Sequence, residues 1–547
     1  MAYIDKPRFH KPTHPARAKP RPADTLMEPS GDVPRLALLR SAAVPADAPP
    51  LQSHAQAGVE LQERAEHSPE EREMQRREQL AWLERAKSAL RKEIPLLGVR
   101  VPARACGALA AHPAVKEHVF RSPRTKHIRP DPDGDASFRS LQLGVQNAEQ
   151  LDDAAQAAIR EAGGELVPLP VVLDWDYWSV DQILRAVLPD ELEEGAPSAF
   201  SVVGHLVHVN LREEYLAYRY LIGQVILDKT PRARTVVNKL DTIDSEFRVF
   251  AMELLAGEPE YHAEVSESGC LFQLDFRSVY WNSRLHTEHA RLIDQFQPFQ
   301  VVADVMAGIG PFAVPAGKKR CYVLANDLNP SCYESLKGNT ERNHVATRVA
   351  PYCMDGRAFI QEAVQRCWDA AYPGAVPGSE LQSAWQRRKA VRQRAAGDRE
   401  PPAPPARRSR RLVDHFVMNL PASALEFLDA YRGAYTRLAQ RVGREAVLAE
   451  IHARAQDRGD GDAVEPLPMV HVHCFTKEIE AAAPDICKRA SAALGLPAHE
   501  ALVPPGERNA TPDLSLHLVR SVAPNKDMYC LSSVSYTHLT LPTICSG

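Results

Sequence analysis

The alternation of apolar and polar positions divides the chain before any chemistry is considered. Residues 1–67 carry Pro, Ala and charge without a sustained apolar period, which predicts a disordered tail. Ser68-Pro69-Glu70-Glu71 then forms a capping box with proline at the first helical position and predicts a charged helix running to residue 93. From there to residue 190, short apolar runs alternate with helical periods, as in residues 165–173 and 179–187, the pattern of a small α/β module. Residues 191–296 are strand-rich, with the β-branched and aromatic content of sheet at 200–209, 235–240, 261–265 and 270–276. Residues 297–532 return to strand and helix in turn, with strands expected at 301–305, 321–325, 349–353, 415–418, 469–474, 515–519 and 528–531. That alternation predicts an α/β domain.

Composition removes some possibilities. At 547 residues the chain is too long for one core. Lys plus Arg total 66 against 70 Asp plus Glu, so a polyanion partner must be held by local patches and not by global charge. The ten Cys include no C-x-x-C pair, which argues against a structural zinc cluster and a disulfide scaffold. No apolar run is long enough to span a bilayer, so no membrane partner is expected. The first 22 residues are basic in the manner of a mitochondrial presequence, but Pro7, Pro12, Pro15, Pro20 and Pro22 break any amphipathic helix, which favours a solvated tail. Residues 368–411 are crowded with Arg around a Pro-rich centre and read as a disordered basic insertion, solvated or touching RNA phosphate.

The densest chemistry lies between Asp304 and Pro330. An apolar strand ends in Asp304, a glycine turn follows at Gly308 and Gly310, and a second apolar strand stops at Asn326 and Asp327. In an open parallel sheet, ligands sit beyond the carboxyl ends of the strands. Glycines let backbone approach a ligand closely, and a carboxylate at the next strand end can accept both ribose hydroxyls. Phe312 occupies the region where the third glycine of a dinucleotide fingerprint would let a pyrophosphate settle on the helix, which disfavours NAD and favours S-adenosylmethionine.

Three further segments make the pocket specific: 279–289 (VYWNSRLHTEH), 241–257 (DTIDSEFRVFAMELLAG) and 416–421 (FVMNLP). Together with 204–229 (GHLVHVNLREEYLAYRYLIGQVILDK) and 236–241 (VVNKLD), they resemble the tRNA (guanine-N1)-methyltransferase of archaea and eukaryotes, which acts on the guanosine at tRNA position 37. The resemblance covers residues 165–531 almost continuously. It implies a Rossmann-like class I methyltransferase domain (297–532), preceded by a strand-rich tRNA-binding domain (191–296) with the Arg and Glu motifs. It also implies that the small N-terminal α/β module (68–190) touches the outer corner of the tRNA.

By this resemblance Glu288 is the general base for N1 and Arg248 stabilises charge developing on O6. Asn419 hydrogen-bonds a flipped purine, and Pro421 fixes the turn presenting it. The cofactor is S-adenosylmethionine, with Asp327 and Leu328 at the ribose and Asp355 with Gly356 at the adenine edge. His289 and the backbone from Gly308 to Gly310 approach the methionine part, and Asp304 and Asn419 are also counted among the cofactor-binding residues. Tyr280 and Arg284 support the pocket wall or the target nucleotide. For Glu288 the bland alternative is an ordinary salt bridge to a neighbour such as Arg284. The partner implied is tRNA, with no metal and a monomeric chain. The compartment expected is cytoplasm and/or nucleus, with a mitochondrial matrix pool open.

Two rivals bear on the same residues. The aminocarboxypropyl transferase of wybutosine synthesis uses the same cofactor but departs at the strand-end turn, so Asn419-Leu420-Pro421 favours methyl transfer. A catalytically silent tRNA-binding scaffold would be expected to lack Glu288, Asn419 or Asp327, and all three are present. Residues 533–547 have no continuity with the domain and read as an anomalous tail.

Overall fold

Ser68 begins the first helix as its sequence predicts. In the computed structural model, which describes residues 68–122, 124–192, 195–197, 199–240, 251–373, 409–456, 468–511 and 513–534, its hydroxyl accepts the Glu71 N–H and the Glu71 carboxylate accepts the Ser68 N–H. The helix spans Pro69–Ala89 and stops short of residue 93, because Lys92–Ile94 pairs antiparallel with Val171–Leu173. That ladder takes the backbone groups a further helical turn would have used. The expected tail at 1–67, the centre of the insertion at 374–408 and residues 535–547 lie outside the described residues.

The chain forms two compact units. One comprises Met1–Phe200, Asn210–Arg232 and Leu255–Gly257. Here an antiparallel sheet ordered Ile128–Pro130, Phe138–Gln142, Leu97–Pro102, Glu165–Pro168 buries Val99, Val101 and Leu141 with Leu109 and Ile159 from two helices.

The other comprises Ser201–Val209, Ala233–Leu254 and Glu258–Gly547, so the strands at 201–209 and 235–239 and the hairpin His262–Glu267/Cys270–Asp275 fold in one unit with the cofactor sheet. Phe272 and Trp281 share a core with Leu292, Phe296, Phe312 and Leu336.

Seven strands build the main sheet: β1 Val301–Asp304, β2 Tyr322–Asn326, β3 Val349–Tyr352, β4 His415–Met418, β5 Met469–Thr476, β6 Ser515–Ala523 and β7 Lys526–Val534. Their order is β3-β2-β1-β4-β5-β7-β6, parallel through β5, with β7 antiparallel to both β5 and β6. Residues of β1 and β2 are buried on both faces, as a parallel sheet covered by helices requires. The order reverses between β1 and β4, so a crevice opens where Asp304 and Asn419 end neighbouring strands.

Four helices matter for the site: α1 His286–Gln295, α2 Ala313–Lys318, α3 Pro330–Arg342 and α4 Gly356–Ala370. Because α4 runs past residue 368, the insertion starts later than its composition suggested. Its ends meet: Tyr372 bridges Arg410, and Arg411 donates to the Trp368 carbonyl at 3.0 Å. At the carboxyl end β7 continues beyond residue 532, Ser533 pairing with Val470 and Val534 with Met469, since a backbone ladder accepts almost any side chain. Among the described residues no helix is long and apolar enough to cross a membrane.

Candidate active site

The β1 to α2 turn is held by a carboxylate. Asp327, just past β2, accepts the Gly308 N–H at 2.8 Å on Oδ2 and the Asn329 N–H at 2.9 Å on Oδ1. Asn326 ties three strand ends together: its amide donates to the Val305 and Met354 carbonyls and accepts the Met354 N–H.

Gly308 and Gly310 have φ of +54° and +101°, the left-handed region that favours glycine. A Cβ on Gly308 would meet nothing within 4 Å, whereas one on Gly310 would come within 2.7 Å of Leu336 and 2.8 Å of Val314. Gly310→Ala should therefore lower the melting temperature through overpacking of about 1–3 kcal/mol. Gly308→Ala meets no atom, but its positive φ costs about 1–2 kcal/mol of backbone strain, and it should also weaken cofactor binding; thermal melts and calorimetric titration measure the two effects separately.

Asp304 is fully buried, and neither carboxylate oxygen has a hydrogen-bond partner among the described residues. Burial first, then the charge of Asp327, pushes its carboxyl up to about 8. An orphaned buried carboxyl is costly unless a cation or donor completes it. Asn419 also presents a buried, unpartnered Oδ1. It follows Met418, which pairs with Val472, so Asn419 and His473 stand at one level on neighbouring strands. Pro421 anchors the turn through its carbonyl, which accepts the Phe475 N–H at 2.9 Å.

Glu288 lies in the first turn of α1 and is 3% exposed. Its partner is Arg291, one turn onward, and not Arg284, which is exposed. Arg291 donates Nε–H to Oε2 at 2.6 Å and Nη2–H to Oε1 at 2.7 Å. His473 Nε2 lies 2.8 Å from Oε1, and since a carboxylate only accepts, that nitrogen carries a proton. Burial opposes the charge of Glu288, but Arg291 and His473 outweigh it and hold the carboxyl at about 2. Burial likewise opposes the imidazolium of His473, yet Cys530 and Glu288 raise it. His289, the next residue of α1, places Nδ1 2.5 Å from Glu267 Oε1 and meets Phe312 edge-on.

The remaining expected residues are placed as follows. Leu328 is 41% exposed beside Asp327. Asp355, itself exposed, caps α4 with Oδ1 accepting the N–H groups of Arg357 and Ala358; Gly356 is buried against Phe427. Tyr280 is 49% exposed near the N-terminus of α1. Arg248 lies outside the described residues. Sequence reasoning missed Asn326 as a strand-end tie, Arg291, His473, His517 and Cys530. Only Arg291 had a local signal, its i+3 spacing from Glu288 on a helix.

Residues 263–368 match the family described as TRM5/TYW2 methyltransferase domain, and residues 180–260 that described as TYW2 N-terminal domain. The tRNA (guanine(37)-N(1))-methyltransferase of Coprinopsis cinerea is 46% identical over 454 residues, 82% of this chain and 92% of that protein. This chain belongs to the tRNA (guanine(37)-N(1))-methyltransferase family. The member from Schizosaccharomyces pombe is 41% identical over 449 residues, covering 81% of this chain and 92% of its own. A solved complex of aTrm5 with tRNALeu, 19% identical, superposes with a TM-score of 0.50 over 80% of this chain and 98% of that one, and so shares its fold.

The cofactor of this methyltransferase family is S-adenosylmethionine, and the pocket suits it. A ligand ammonium would complete the orphaned Asp304, the open space at Gly308 admits close approach, and Asp327 keeps lone pairs for ribose hydroxyls.

Proposed function

We infer that this protein methylates N1 of guanosine 37 in tRNA with S-adenosylmethionine as donor. The observation carrying this is the 46% identity across 92% of a tRNA (guanine(37)-N(1))-methyltransferase, joined to a buried carboxylate at the strand-end pocket. The cofactor supplies an electrophilic methyl group on a sulfonium. Everything else falls to the chain's own side chains.

Glu288 accepts the N1 proton. As the new bond forms, positive charge grows on the purine and N1–H becomes acidic, so a carboxylate kept ionised by Arg291 and His473 suffices as base. The free Oδ1 of Asn419 accepts from an N–H of the target base, and Arg248 is assigned to charge developing on O6. The guanine must leave its stack to reach so recessed a carboxylate. Tyr280 and Arg284, exposed beside α1, receive the flipped nucleotide.

Mapping the methylated position in an unmodified tRNA transcript, with label in the cofactor methyl, tests the reading. Label arriving from the carboxypropyl part instead would mark the wybutosine-type reaction and end it. A second expectation concerns pH. Glu288 faces Arg291 on its own helix, His473 on β5, His517 on β6 and Cys530 on β7. Its carboxyl is depressed, so it is a competent base above that low value and fails only as pH falls through it. His473→Gln removes one cation and lets burial raise the carboxyl. The acid limb of single-turnover methyl transfer should then move to higher pH, with the rate at pH 8 affected least.

A further inference from the structure

The residues around Glu288 form a row that exceeds what methyl transfer uses, since only His473 among them has a part in keeping the base ionised. His473 on β5 is the direct cross-strand partner of Cys530 on β7, and Cys530 is in turn the partner of His517 on β6. Directly opposed residues of paired strands point to one face with their Cβ atoms about 5 Å apart. Three adjacent strands therefore present imidazole, thiol and imidazole in line, and α1 lays the Glu288 carboxylate over them. One ligand atom each from Glu288, His473 and Cys530 lies within 4.8 Å of the others, and all three residues are buried. His517 Nε2 stands 3.7 Å from Glu288 Oε2, with its side chain 48% exposed. Independently, His473 is fully buried, yet its Nδ1 has no hydrogen-bond partner among the described residues.

We propose that Glu288, His473, Cys530 and His517 form a zinc site whose occupation switches methyl transfer off. One thiolate, two imidazoles and one carboxylate make a borderline-soft tetrahedral set that suits zinc, whereas magnesium and calcium take oxygen ligands. Bonds of about 2.0–2.3 Å imply ligand separations of about 3.5 Å, so Glu288, His473 and Cys530 close in by about 1 Å, while His517, which stands outside their 4.8 Å group, swings in farther on its exposed strand. Binding exchanges protons for metal. The imidazolium proton of His473, and the thiol proton where the sulfur carries one, leave to solvent; the lone pairs pass to the ion and no electron changes hands. Glu288 can give Oε1 to zinc and keep Oε2 on Arg291. Half-exposed His517 on the outer strand gives the ion its way in. A carboxylate bound to zinc cannot take the N1 proton, and this consequence rests on Glu288 being the base.

Chelator-stripped full-length protein titrated with cobalt(II) tests the site without reference to catalysis. One equivalent should produce intense tetrahedral d–d bands and a thiolate-to-cobalt band. Cys530→Ser should lose the thiolate band, and His517→Ala, altered on an edge strand where folding is safest, should weaken binding about tenfold or more. Stoichiometric zinc should then slow single-turnover methylation of tRNA by about 10²–10⁴-fold, the contribution of a general base, and a chelator should restore it. Stoichiometric zinc should leave the single-turnover rate of Cys530→Ser where it stands without metal, whatever that metal-free rate is. Absence of the thiolate band, or its persistence in Cys530→Ser, overturns the site whatever the enzyme's activity. A proper cobalt spectrum with zinc-loaded enzyme at full rate overturns the switch and removes Glu288 as base, while the cofactor and tRNA reading stands.

Discussion

Glu288→Gln should slow methyl transfer by about 10²–10⁴-fold while leaving cofactor affinity close to that of the parent. Glutamine keeps the shape and can still accept a hydrogen bond, but its amide cannot take a proton. The substitution also leaves Arg291 and the protonated His473 without their shared anion in a buried setting. Breaking such a pair costs about 3–5 kcal/mol, so the melting temperature should drop as well. Single-turnover kinetics on tRNA, with cofactor binding measured on the same preparation, separates lost chemistry from lost folding. Normal turnover in a folded variant would show that the base lies elsewhere.

Asp304→Asn should weaken S-adenosylmethionine by about 10- to 150-fold, the equivalent of one hydrogen bond to a charged group at about 1.5–3 kcal/mol. The same variant carries a stability signature of opposite sign. In the ligand-free fold the carboxyl is raised to about 8, while in the unfolded chain it titrates near its ordinary value of 3.8. Between those values the folded state binds the extra proton, so the stability of the parent should fall as pH rises from about 4 towards 8. Asparagine removes that slope. Saturating cofactor should flatten it in the parent too, if its ammonium lets Asp304 ionise without loss. Melting curves against pH, with and without cofactor, check both statements; a parent with no slope would mean that Asp304 is already paired.

Much of the pocket was legible because it is local. An apolar run that stops at a polar residue and a turn marks a strand end, and three such ends, at Asp304, Asp327 and Asn419, fall beside one another once the strands run parallel. The bulk of Phe312 beside the glycine turn was likewise readable: the ring is packed in the core against His289 and His473. Less accessible were boundaries. Composition placed the insertion at residue 368, but helix periodicity carries α4 to Ala370 before the Arg-rich segment begins.

The identity and order of the elements, the cofactor turn and the candidate base are written in short-range patterns, because a residue's neighbours in sequence fix its helix face or strand side. The surroundings that set the base's proton affinity are not. Glu288 and His473 are 185 positions apart, and Cys530 reaches them only because β7 enters antiparallel between β5 and β6 in one register. A shift of one residue would turn His473, Cys530 and His517 away from one another, and that register is chosen by which side chains the two sheet faces can bury together.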